Sequence, residues 1–459
     1  MALPPLAEAQ GYLRQAVMNI HPFHDTPGML GTVPLPDLAL LRLRFPRPRV
    51  EDAGAEASKS LERAGVSQRI QSGARIALAV GSRGIADIAP IVRAVVGFVR
   101  QHGADPFIVP AMGSHGGATP EGQREVLHSL GVTEEYTGAP IVSSLDVDEL
   151  GTLPNGMPVY TDRNAHGADG VIIINRIKPH TDYKAPIESG ISKMIAIGLG
   201  KQKGAMTVHS WGIEGLVKNV PDAAKFVVSH MNVLCGLAIL ENAYDEVAEI
   251  VALPPEGIGN EPEQELLTRA QDMMPRLPWD TLDVLVIDEL GKNISGAGMD
   301  PNIIGRMRCA PEQKPTAAQI TNITVHDLTD ESHGNAIGLG MADFTTARLI
   351  DKLDVQPFYI NGLTAGVISM NSLKIPTILS TDREAIAAAI RTSGRPDFTQ
   401  VRLARIKSTL RLEYVLASVN NLDHLRAGSN VEVLVPSMPF TPEADGSLTP
   451  FDRIRAQYS

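Results

Sequence analysis

Arg75-Ile-Ala-Leu-Ala-Val80-Gly-Ser-Arg-Gly84 decides the fold. Its apolar run, Ile76 to Val80, has strand length and ends on glycine. The next segment, Ile88 to Gln101, sets Ile88, Ile91, Val92, Val95, Val96 and Val99 at helical spacing and stops at Gly103. Pro106-Phe-Ile-Val-Pro110 reads as the following strand and opens into Gly113-Ser-His115-Gly-Gly117. Thr119-Pro120-Glu121 then starts a second helix, with Thr as N-cap and Pro at the first helical position. Strand, helix, strand, helix with short connections predicts a parallel sheet built by right-handed crossovers.

The same signals extend outward. Val171-Ile-Ile-Ile-Asn175 is an unbroken apolar run, as expected of a strand covered on both faces, and it leads into Arg176-Ile-Lys178-Pro-His180. A Gly- and Lys-rich stretch follows: Ser189-Gly190-Ile-Ser-Lys193, Gly198-Leu-Gly-Lys201-Gln-Lys203-Gly204 and His209-Ser-Trp211. Pro254 to Pro278 reads as a helical linker rich in Pro and Glu. Asp283 to Ile287 restarts a strand, followed by a Gly-rich loop from Gly291 to Asn302. The expected fold is α/β: two α/β domains with largely parallel sheets and an active-site cleft between them. The expected boundaries are residues 1–275, 276–420 and a tail, 421–459, packing back on the body. The first 35 or so residues, with His21 and His24, read as an arm or strand lead-in.

Composition narrows the function. The 459 residues carry 41 Lys+Arg against 52 Asp+Glu, a net charge of -11, which argues against nucleic-acid or anionic-membrane binding. Two cysteines, Cys235 and Cys309, are too few for a disulfide framework, a four-cysteine zinc site or a cysteine-ligated cluster. No apolar run approaches the roughly 18 residues of a membrane span. Met1 to Gln10 lacks the basic start and apolar core of a signal peptide, so a soluble cytoplasmic protein is expected.

Several common motifs fail. Gly81-Ser-Arg-Gly84 is not a dinucleotide fingerprint, and Gly200-Lys201 is followed by Gln202 where a phosphate loop needs Ser or Thr. Met112 stands where a nucleophile elbow around Ser114 needs glycine. What remains is a set of basic residues in Gly-rich loops. Arg83, His115, His180 and Asp300 each follow a predicted strand, and the carboxyl ends of parallel strands line one crevice where ligands bind. Each residue also has a plainer reading. His115, His180 and His333 suit turn histidines bonded to local backbone. Lys193, among Ile191, Met194 and Ile195, is either an amine readied by apolar surroundings or a helix lysine reaching for solvent. His209 reads equally as a partly buried surface residue, and Arg306 with Arg308 as a solvated face.

Taken in order, these elements resemble the lactate racemase superfamily, whose members use a nickel-pincer nucleotide. Arg83, Ser114-His115, Pro179-His180 and Ser189-Gly190-Ile-Ser-Lys193 stand in the family's sequence, and His209 lies sixteen residues beyond Lys193. The resemblance implies that Lys193 covalently anchors the cofactor, pyridinium-3-thioamide-5-thiocarboxylic acid mononucleotide carrying nickel. It implies that His209 is the metal ligand, that His115 and His180 are the paired acid/base histidines, and that Arg83 binds the substrate carboxylate. Ser82 and Gly190 fall in the implied cofactor-binding segments, and Arg308 at the second domain's substrate position. The implied partners are a small 2-hydroxy acid and the proteins that make the cofactor; the oligomeric state is open, with a homodimer as one option.

The residue types suit that chemistry. A hydrogen alpha to a hydroxy carboxylate is too weakly acidic for a side-chain base. Removing the hydroxyl proton while the C–H leaves as hydride requires one near-neutral base per enantiomer, and histidine supplies it. A planar guanidinium fixes the carboxylate while the carbon inverts. Imidazole suits square-planar nickel, and the cofactor brings its own sulfur. This chain departs from the family in three places. The loop between His180 and Lys193 is longer, Val80 replaces an acidic residue, and Asp300-Pro-Asn302-Ile-Ile-Gly305 lacks an aromatic–Gln pair. Losing that pair predicts a substrate other than lactate, with space at Gly305 for a bulkier hydroxy acid or aldonic acid. Two other classes compete: a divalent-metal hydrolase or lyase using His115, His180 and His209, and a non-catalytic anion- or nucleotide-binding protein. No role is assigned to Lys178, Lys201, Lys292, Arg306 or His333.

Overall fold

The first strand, β1 (Leu38–Leu43), pairs antiparallel on both sides with Tyr414–Ser418 and Val431–Met438, not with the sheet that follows it in sequence. The computed structural model describes residues 22–458 apart from 24, 26–27, 83 and 308–316. They divide into a unit of residues 46–274 and a second unit made of 275–459 with the segment up to residue 45. The expected domain of residues 1–275 is thereby corrected at its start. Leu38, Leu40 and Leu41 are buried apolar side chains that complete the second unit's sheet. His21 and His24 lie outside the described residues.

In the unit of 46–274, β2 (Arg75–Val80) and β3 (Asp105–Pro110) match the sequence reading to within a residue. The helix Ile88–Gln101 buries the predicted stripe together with Phe98. Thr119 caps its helix, accepting from the Gly122 amide at 3.0 Å, with Pro120 in the first turn. A separate hairpin, β4 (Val147–Thr152) with β5 (Pro158–Asp162), precedes β6 (Gly170–Arg176). β7 (Val233–Glu241) and β8 (Val247–Leu253) complete a sheet of order β3-β2-β6-β7-β8. Its first four strands are parallel and β8 is antiparallel. The chain leaves β2 toward β3 and leaves β6 toward β7, in opposite directions. The switch point therefore lies between β2 and β6, and the loops beginning at Gly81 and Ile177 flank it. Ile76, Leu78, Val80, Ile91 and Val95 share one core, so truncating any of the larger ones costs about 2–5 kcal/mol.

The Gly- and Lys-rich stretch is a helix of changing pitch. One turn, Ile191–Lys193, runs into a π-helical segment, Met194–Leu199, and then into the α-helix Lys201–Ser210. π segments are rare and concentrate at functional sites. Glycine explains how this one packs: a Cβ on Gly198 would stand 2.7 Å from the Ala111 carbonyl oxygen, just past β3.

In the second unit, β9 (Thr281–Leu290), β10 (Gln319–Leu328), β11 (Phe344–Thr346), β12 (Thr377–Leu379) and β13 (Leu403–Ile406) are parallel. β14 (Tyr414–Ser418), β1 and β15 (Val431–Met438) extend the sheet antiparallel, giving the order β12-β11-β10-β9-β13-β14-β1-β15. The last residues supply an edge strand and core side chains, among them Leu448 and Phe451. Among the described residues, no helix is long and apolar enough to cross a membrane.

Candidate active site

The loop leaving β6 at the switch point turns on His180. Its backbone N–H donates to Glu188 Oε2 at 2.6 Å, and its Nδ1 accepts the Asp182 N–H at 3.0 Å. That leaves Nε2 facing the Lys193 Nζ, 2.6 Å away. The Tyr183 ring lies against the imidazole, with centroids 4.5 Å apart, and its hydroxyl donates to the Glu188 carbonyl at 3.1 Å. Glu188 is buried, and burial pushes its carboxyl above the usual range against the pull of Lys184 and the donated N–H groups.

Lys193 rides on the short helix after Gly190. Glu263 fixes the start of that helix: its carboxylate accepts the Ser192 N–H at 2.8 Å, the Gly259 N–H at 2.9 Å and the Ser192 hydroxyl. Glu263 is 1% exposed, and burial raises its carboxyl despite those donors. Gly190 has no room for a side chain, since a Cβ would meet Glu263 Oε1 at 2.8 Å and Ile177 Cγ1 at 3.2 Å.

His209 sits in the last turn of the helix Lys201–Ser210. Its Nδ1 is buried and has no hydrogen-bond partner among the described residues. Burial lowers its pKa, the charge of Lys193 lowers it further, and Asp182 opposes both. The imidazole is therefore held neutral, the form that binds metal ions. An unsatisfied buried nitrogen is costly and calls for a partner.

After β2, the Ser82 hydroxyl makes a close hydrogen bond with His115 Nδ1. His115 itself is exposed at the mouth of its loop. The Gly113 N–H donates to the Gly198 carbonyl at 3.1 Å, so the His115 loop lies on the π segment between Lys193 and His209.

Thus His180, Lys193 and His209 form one cluster, and Ser82 with His115 is tied to the same helix through backbone. Arg83 and Arg308 lie outside the described residues, as does Cys309. The remaining candidates serve structure in the second unit. Asp300 caps a short helix, accepting from the Asn302 N–H at 2.9 Å. Arg306 binds the Met341 carbonyl at 2.6 Å and Asp343 at 2.6 Å. His333 occupies a left-handed turn, φ 47°, and Lys292 binds the Gly296 carbonyl at 2.8 Å.

Residues 58–216, which include every member of both groups, match the family model of the lactate racemase N-terminal domain. This match places residues 58–216 in the lactate racemase superfamily. Among curated proteins, none matches it significantly.

Sequence reasoning missed Glu188 and Glu263, which hold the backbone at His180 and Ser192. Glu263 falls beyond the matched residues, in a Pro- and Glu-rich run that reads as a helical linker. The helix Glu261–Met273 instead turns that carboxylate inward. Only its apolar spacing with Leu266, Leu267 and Ala270 could have marked Glu263 as inward-facing.

Proposed function

We propose that this chain is a nickel-pincer-nucleotide-dependent racemase or epimerase of a 2-hydroxy acid other than lactate, working through a 2-keto intermediate. The observation that carries this reading is the buried, unpartnered Nδ1 of His209 beside the Lys193–His180 pair. A neutral imidazole lone pair and a lysine amine on one helical segment fit a tethered group whose metal takes a single protein ligand. Lys193 would hold the nucleotide covalently, His209 would complete the nickel, and Ser82 and Gly190 would border the group. When bound, the cofactor supplies a reversible hydride acceptor.

The protein's own residues do the rest. His180 and His115 are assigned the exchange of the substrate hydroxyl proton, one for each enantiomer. Ser82 fixes the ring of His115 through Nδ1, and the Asp182 N–H fixes that of His180 in the same way. Both rings are thereby oriented through Nδ1, and the Nε2 of His180 meets the Lys193 amine at 2.6 Å. Arg83, next after Ser82 in sequence, is assigned to the substrate carboxylate. Glu263 and Glu188 set the backbone on which Lys193 and His180 sit.

The divalent-metal reading lacks its ligand set: among the described residues, no three His, Cys, Asp or Glu side chains gather as metal ligands. The test is epimer formation, with deuterium at the 2-position as tracer, across a panel of hydroxy and sugar acids. It uses protein co-produced with the cofactor-making enzymes. One acid should epimerise, and His115→Ala and His180→Ala should each abolish the reaction. Ligand binding without turnover of any acid would favour an anion-binding protein instead.

A further inference from the structure

Lys201 stands outside the groups just assigned, yet it is the most completely enclosed cation of the unit. Its side chain is 0% exposed. Its Nζ pairs with Asp162 Oδ2 at 3.0 Å, lies 3.4 Å from Gln123 Oε1, and donates to the Pro110 carbonyl at a close approach. Gln123, itself fully buried, passes the connection on. Its Nε2 donates to the Gly113 carbonyl at 2.9 Å and to the His115 carbonyl at 3.3 Å. Three carbonyls of the chain running from β3 into the His115 loop thus hang on one ammonium and one amide.

The cost of this arrangement argues for a purpose. A buried ion pair adds little net stability, because desolvation offsets most of the attraction. Burial pulls the Lys201 pKa down, and Asp162 alone opposes it. Lys201 also holds a left-handed backbone, φ 53°, where the π segment gives way to the α-helix, a conformation that non-glycine residues avoid. It lies eight residues from Lys193 and eight from His209.

We propose that Lys201 is a positioning residue: through Gln123 and the Pro110 carbonyl, it holds the His115 loop against the helical segment that carries Lys193 and His209. The proposal rests on the reading of His115 as an acid/base, and its first readout needs no turnover.

Lys201→Met alone strands the Asp162 carboxylate in the interior and invites misfolding. The test therefore uses Gln123→Leu, which leaves the ion pair intact, and Lys201→Met combined with Asp162→Asn, which removes both charges. A core variant, Ile91→Ala, controls for general loss of stability. Backbone amide exchange over residues 111–118 should rise about tenfold or more in both test variants and not in Ile91→Ala. Exchange over 191–199 and the mass of any adduct on Lys193 should stay as in wild type. In the loaded enzyme, kcat should fall about tenfold or more while KM stays within about threefold. Unchanged exchange over 111–118, an equal rise in Ile91→Ala, or a mobile loop with full kcat would each overturn the proposal. Loaded wild type that epimerises no acid counts against the proposed function alone, since exchange still decides whether Lys201 holds the loop.

Discussion

Two histidines, one in each unit, show how differently the same side chain is used. In the second unit, His326 is 1% exposed and fully bonded. Its Nε2 meets the Thr324 hydroxyl at 2.8 Å and its Nδ1 meets Asp382 at 3.0 Å. Arg348 and the Leu448 N–H complete Asp382, whose carboxyl is held down at about 2. In the same unit, Arg405 pairs with Asp288, and Arg395 and Arg402 with Asp283. In the unit of 46–274, the buried Nδ1 of His209 meets no partner among the described residues, and burial, with the charge of Lys193, keeps the ring neutral. Completed polar networks stabilise one arrangement of a fold, whereas a buried group left incomplete calls for an explanation.

The comparison breaks most visibly on substitution. His326→Ala strips a partner from a buried carboxylate and should cost about 3 kcal/mol or more in thermal or urea unfolding. His209→Ala removes a nitrogen that was never satisfied, so its cost should be clearly smaller. Equal losses would erase the distinction. Next in size is Glu263→Gln, which replaces one acceptor oxygen by a donor facing the N–H groups of Ser192 or Gly259. It should cost about 1–3 kcal/mol and reduce adduct formation on Lys193, read by intact mass.

A pH series sharpens the contrast further. His209 titrates lower in the folded chain than the ordinary 6.5, so below pH 6.5 the unfolded chain takes up a proton that the folded chain refuses. Stability should therefore fall as pH drops through that window, and His209→Gln should flatten the slope. Asp382 acts at the other end, with its contribution intact above pH 3.8 and lost as pH falls through about 2. The smallest effect is expected at His333, an exposed residue in a left-handed turn: His333→Gly should leave activity unchanged and stability within about 1 kcal/mol.

The parts of the molecule legible in the sequence are those governed by local periodicity. β2, the helix Ile88–Gln101, β3, the Thr119 cap and β6 all carry their own pattern. So do the loop residues His115 and His180, because they directly follow strands. Pairing between distant segments was hidden. Nothing in Leu38–Leu43 says that its partners lie at Tyr414–Ser418 and Val431–Met438. Nor does spacing reveal that Met194–Leu199 winds as a π segment, or that Lys201 turns inward, since charged residues are ordinarily solvated. In sequence Lys201 reads only as the lysine of a phosphate loop, a motif it fails; its burial against Asp162 is a contact between distant segments.

The most direct test of the account is the intact mass of the chain co-produced with the cofactor-making enzymes, measured for wild type and for Lys193→Ala. Wild type should carry a covalent nucleotide adduct that the variant lacks. An unmodified wild type, or the same adduct on both proteins, would contradict the assignment of Lys193 and the site built around it.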